Sequence, residues 1–163
     1  MAESIAPSPE LRRLLADLCQ FEIPADAIQK FEIEPTKDGI PRDQIDVSTI
    51  TWPPQQDALV REVTERAVEE STLKILQLAA KSKEWNAKTL VLRKGSLVPF
   101  PGEISLIVPL IRAHSSFEKV SFYFIKDKSG PSKAWKEELY ILKPGTCIRV
   151  MEGELRMIAV VYT

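Results

Sequence analysis

Acid–base chemistry near neutral pH has one imidazole to draw on in this chain, His114, the single histidine among 163 residues. Any Ser-His-Asp or Cys-His arrangement must use it. It follows an apolar run and precedes Ser115-Ser116-Phe117-Glu118, a strand end or hairpin tip, where Glu118 or Glu103 would orient the ring as a general base. Cys19 and Cys147 add two thiols, so a closed zinc site would still need a carboxylate. More than a hundred positions separate the cysteines, which is no disulfide framework. Cys147 reads as an internal strand residue and Cys19 as a buried helix residue, neither beside the cation or helix N-terminus that a reactive thiolate requires. Glu62, Glu65, Glu69 and Glu70 have the spacing of a di-metal helix, but the Glu-x-x-His partner is missing. Interleaved Arg61 and Arg66 make them ordinary surface ion pairs. Six singly scattered glycines write neither a dinucleotide fingerprint nor a P-loop. No catalytic residue, metal or cofactor is expected.

Two segments have the composition of binding surfaces. In Leu97-Val98-Pro99-Phe100-Pro101-Gly102, prolines stiffen a loop carrying apolar side chains, which lowers the entropic cost of docking. The run Lys126 to Lys136 is the most basic in the chain and contains Trp135. Val98, Phe100, Trp135, Lys133 and Lys136 are therefore the expected contacts with another protein. Lysines around an aromatic also suit single-stranded nucleic acid. That segment lacks arginine, however, and a net charge of -1 supplies no global field, so nucleic acid is not an expected partner. Charge is uneven: residues 1–50 hold five basic and ten acidic side chains, residues 87–163 twelve and seven.

These residues must be held by elements legible in the periodicity. Ser8-Pro9-Glu10 is a helix start, and Leu11, Leu14, Leu15 and Leu18 form one stripe over Pro9 to about Gln20. A second short helix is predicted from Pro24 to Lys30. Phe31–Glu34 and Ile45, Val47, Thr49 alternate as brief strands around a turn-rich loop at 35–44. Thr51-Trp52-Pro53-Pro54 opens a long helix to about Glu84, with Val60, Val63, Ala67, Ile75 and Leu78 on its inner face and a polar patch at Glu69–Thr72. The period then shortens to two. Strands are predicted at Lys88–Arg93, Ile104–Ala113, Lys119–Lys126, Glu137–Leu142, Cys147–Met151 and Leu155–Tyr162. Short turns between them point to an antiparallel meander in which the strand of Val120, Phe122 and Phe124 lies beside that of Leu106, Val108 and Leu110. Ile158-Ala159-Val160-Val161 is apolar on both sides and suits a central position. Were it an edge instead, it would invite pairing across a homo-oligomer.

The fold class that follows is α+β: one long helix on a mainly antiparallel sheet of five or six strands, with a small helical N-terminal appendage. Its parts are the appendage at 1–34, a loop and short strand at 35–50, and the main α+β domain at 51–163. The expected function is that of a non-catalytic protein–protein interaction or adaptor domain. A helix across a curved antiparallel sheet is also similar to cystatin-like and NTF2-like folds. That resemblance implies a small-molecule pocket, with His114, Tyr123 and Tyr140 as its polar groups and isomerase or hydrolase activity through His114. The start Met1-Ala2-Glu3-Ser4 has no signal-peptide pattern and no apolar run approaches the roughly 20 residues of a membrane span, so a cytoplasmic or otherwise intracellular protein without a membrane is expected.

Overall fold

The computed structural model describes residues 2–30, 45–78, 84–98, 102–112 and 117–163. In chain order the elements are β1 (Ala2–Ile5), α1 (Pro9–Cys19), β2 (Ile28–Lys30), β3 (Asp46–Ile50), α2 (Asp57–Leu78), β4 (Trp85–Lys94), β5 (Ser96–Leu97), β6 (Ile104–Pro109), β7 (Lys119–Phe124), β8 (Ser132–Ala134), β9 (Leu139–Leu142), β10 (Thr146–Glu152) and β11 (Leu155–Tyr162). Short 3-10 turns at Ala25–Ala27 and Pro54–Gln56 precede β2 and α2.

The strands form two antiparallel sheets, one of seven strands in the order β1-β9-β6-β11-β4-β3-β2 and one of four in the order β5-β10-β7-β8. From β4 to β11 the pairing is nested: β4 with β11, β5 with β10, β6 with β9, β7 with β8. That is an antiparallel ribbon wound into a double-sheet jelly roll. Of the connections between β4 and β11, only the one from β7 to β8 joins neighbours in the same sheet. The expectation of one helix on a single five- or six-stranded sheet is thereby corrected, as is the cystatin-like or NTF2-like layout. β6 and β7, expected side by side, lie in different sheets. The physical reason is that a short turn fits an arch between sheets as well as a hairpin within one.

The central strands of the seven-stranded sheet are buried on both faces. Along β11, Leu155, Met157 and Ala159 enter the core between the sheets with Leu92, Ile107, Val120, Phe122 and Ile148. Ile158, Val160 and Tyr162 alternate to the other face, against Leu11, Leu18, Val63 and Ile75 of the helices. β11 pairs with β4 on one side and β6 on the other, the central position that its doubly apolar pattern predicts, and so presents no edge for pairing across a homo-oligomer.

The N-terminal segment is no helical appendage, because β1 pairs with β9 at the edge of the large sheet. α1 starts where Ser8 predicts. The Ser8 Oγ accepts from the Leu11 N–H at 3.2 Å, and all four leucines of the stripe are buried. Glu70 of α2 accepts from the Ser8 backbone N–H and from its hydroxyl, both at 2.7 Å, tying the two helices together. The polar patch on α2 does not interrupt its packing, since Ser71 is fully buried and its hydroxyl donates to the Ala67 carbonyl at 2.7 Å. The predicted helix at Pro24–Lys30 is instead a 3-10 turn followed by β2.

Candidate functional site

A cleft of about 570 Å3 lies between the C-terminal end of α1 and the helix-facing side of the large sheet. Leu18 at the end of α1, Phe21 and Ile23 in the segment that follows, Trp52 and Leu110 make its apolar walls, and Arg112 and Arg156 its polar end. Each wall is placed by the local sequence. The leucine stripe docks α1 on the sheet and leaves Gln20–Ile23 to overhang it. Trp52 is fixed by its indole N–H, which donates to Thr89 Oγ1 at 2.7 Å. A groove of about 530 Å3 runs on along the other side of Trp52, past Thr49, Thr64 and Lys88.

At the polar end three guanidinium groups share one carboxylate. Glu154 accepts from Arg156 Nε at 2.8 Å, from Arg112 at 3.2 Å and from Arg93 Nε at 3.2 Å. Arg93 also donates to Ser48 Oγ at 2.9 Å and lies 3.6 Å from Asp46. The Arg156 side chain is only 17% exposed, while Arg112 is half exposed. Arg112 and Arg156 also line a neighbouring hollow of about 300 Å3 with Phe117, Glu118, Trp135 and Glu154. A third, of about 350 Å3, lies between α1 and Ile111, Arg112 and Glu137.

Cys19 borders the cleft as a protonated thiol. Burial pushes its pKa up to about 11; the Ile111 backbone N–H lowers it in part, Glu137 raises it and Arg112 lowers it. At neutral pH it is no nucleophile. Cys147, in β10, is fully buried.

The residues singled out from the sequence are distributed differently. Trp135 is 7% exposed and stacks on Tyr140, ring centroids 5.8 Å apart at 15°. The Lys133 ammonium lies over the Phe122 ring at 4.7 Å and the Tyr140 ring at 4.8 Å, and burial lowers its pKa. The structure thus brings Lys133, Trp135 and Tyr140 together, but as packing at the margin of the core between the sheets. Burial, with Glu138 adding to it, pushes the Tyr140 phenol up to about 12, against a partial offset from the Lys136 backbone N–H. Tyr123 faces away from that core and pairs with the Ser96 hydroxyl. Val98 is half-buried after β5, and Lys136 is exposed. Phe100 and His114 lie outside the described residues.

Sequence reasoning passed over Trp52, Arg112, Glu154 and Arg156. One signal was available: Arg156 interrupts an otherwise apolar strand, and a buried guanidinium there demands partners.

Non-haem iron oxygenase centres use two histidines and a carboxylate. One histidine in the chain does not supply that set. Among the described residues no group of three or more His, Cys, Asp or Glu is arranged to hold a metal, and the space between the sheets is filled with aliphatic and aromatic side chains. The residues present do not fit such a centre. Among the described residues, no helix is long and apolar enough to cross a membrane.

No protein-family model and no curated protein matches this sequence. The fold is similar to that of a prolyl-4-hydroxylase from Pseudomonas putida, with a TM-score of 0.64 at 14% identity over 99% of this chain and 91% of that one. Looser likenesses are to the EutQ protein of Clostridium difficile (TM-score 0.43, 10% identity, 89% of this chain and 82% of that one) and to the DMSP lyase DddQ from Ruegeria pomeroyi DSS-3 (0.30, 10%, 96% and 92%). The adaptor expectation is corrected: the helix-on-one-sheet fold it was built on is replaced by a two-sheet fold similar to that of the solved hydroxylase, and Trp135, its intended aromatic anchor, is interior. At 14% identity the likeness to the hydroxylase is one of fold: a two-sheet jelly roll whose larger sheet is backed by helices.

Proposed function

We propose that this chain is a small-molecule-binding protein whose ligand lies in the cleft between the end of α1 and the large sheet. The observation that carries the reading is the cleft itself: about 570 Å3, walled by Leu18, Phe21, Ile23, Trp52 and Leu110, with Arg112, Arg156 and Glu22 as its few charged groups. That size and that division between apolar walls and a few convergent polar groups are those of small-ligand sites. Prolyl hydroxylation is not carried over from the Pseudomonas neighbour, because at 14% identity the likeness is one of fold. A reducing, intracellular setting is part of the proposal, supported by two free cysteines.

The test is a fluorescence titration with the neutral apolar probe N-phenyl-1-naphthylamine, comparing the native chain with Ile23→Trp, which fills the cleft from a half-buried position. Saturable binding is expected for the native chain, weakened roughly tenfold or more by the substitution at unchanged circular dichroism and melting temperature. Equal binding by both proteins, or none by either, would overturn the assignment.

A further inference from the structure

Among the described residues, Arg156 is held at one of its three nitrogens. Its Nε donates to Glu154 at 2.8 Å, whereas its terminal nitrogens have no partner among the described residues, although the side chain is largely buried. The terminal nitrogens are not among the atoms buried without a partner, so they reach solvent and are accessible to an acceptor that enters the cleft. Glu154 does not fill them, because Arg93 and Arg112 share its two oxygens. With Asp46, the cluster holds three positive and two negative side chains, an excess of one positive charge. Glu22, the acidic residue lining the same cleft, is exposed. Glu118 and Glu137 border the adjoining hollows.

From this we infer that the ligand of the cleft is a monocarboxylic acid with an apolar body, its carboxylate received by the free edge of Arg156 beside Arg112 and its body lying against Phe21, Ile23 and Trp52. The inference rests on the small-molecule reading above and deepens it. A planar carboxylate accepts two parallel N–H bonds from one guanidinium, which engages the terminal donors of Arg156 and balances the positive excess within the arginine cluster itself. The apolar walls favour an organic acid over inorganic phosphate, which would leave them uncovered.

The experiment is calorimetric titration of the full chain with 3-phenylpropanoate and with its neutral isostere 3-phenylpropanamide, alongside inorganic phosphate. The native chain is expected to bind the acid about 10–100-fold more tightly than the amide, the range of a charge-assisted pair. Arg156→Gln should abolish that preference and leave amide affinity in place. Arg156→Lys, which keeps the charge but loses the fork, should retain part of it. Arg112→Gln alters a half-exposed side chain with little risk to folding and should reduce the preference severalfold. Equal affinity for acid and amide in the native chain would overturn the carboxylate assignment while leaving the cleft as a binding site. Saturable phosphate binding that Arg156→Gln removes and that displaces the acid would overturn it in favour of a phosphate site. Failure of the acid, the amide and N-phenyl-1-naphthylamine together would remove both readings.

Discussion

Truncating Trp135 separates an interior aromatic from a surface anchor. The indole is 7% exposed, lies nearly parallel to Tyr140 at 5.8 Å, and belongs to the core between the sheets. Removing a buried tryptophan to alanine costs about 3–5 kcal/mol through lost transfer energy and the cavity left behind. The stacked pair supplies about 0.5–1.5 kcal/mol of that. One feature works in the opposite direction: the buried Nε1–H has no partner among the described residues, and an unpaired buried donor costs about 1–3 kcal/mol. Trp135→Phe, which keeps a stacking ring and deletes that donor, should therefore cost well under the alanine figure. The assay is equilibrium unfolding in urea by linear extrapolation, with melting in parallel. For a chain of this size the alanine variant should lose roughly 6–20 °C in melting temperature. A loss below about 0.5 kcal/mol, as for an ordinary surface side chain, would refute the interior placement.

Two further outcomes follow from other parts of the fold. Ser8→Ala removes both the cap on Leu11 and the hydroxyl bond to Glu70, and should cost about 1–2 kcal/mol in urea unfolding; a double-mutant cycle with Glu70→Ala should show coupling above about 0.5 kcal/mol, and additivity would sink the helix tie. Cys19 and Tyr140 hold their protons more tightly folded, with pKa about 11 and about 12, than unfolded. The stability they contribute is full below their unfolded values near pH 9 and 10 and is lost as pH rises through 11 and 12. The urea midpoint should thus fall above about pH 9, and alkylation of native Cys19 by iodoacetamide should reach half its maximal rate near pH 11; a half-maximum near pH 9 would contradict the burial of the thiol.

The elements themselves were largely written in local pattern. Ser8-Pro9 with four leucines at helical spacing specified α1, and Ile158-Ala159-Val160-Val161, apolar on both sides, announced a central strand. β1, β5 and β8 were missed, because strands of two to four residues are too short for alternation to rise above composition. Lys133 and Trp135 read from the sequence as exposed contacts on a basic, partner-binding segment. The β7–β8 ladder instead places Lys133 opposite Val120, and so over the rings of the core between the sheets.

What the amino-acid sequence determined alone is where helices start, which strands are buried on both faces, and which chemistries a chain with one histidine does without. Tertiary structure decided the rest: that each short turn after β4, save the one between β7 and β8, crosses between sheets; that Trp135 turns inward; and that Arg93, Arg112, Glu154 and Arg156 meet at one end of a cleft. The reason is physical. Capping and periodicity act between residues a few positions apart, whereas the site depends on β4, β6 and β11 lying side by side, a pairing set by burial across two layers at once.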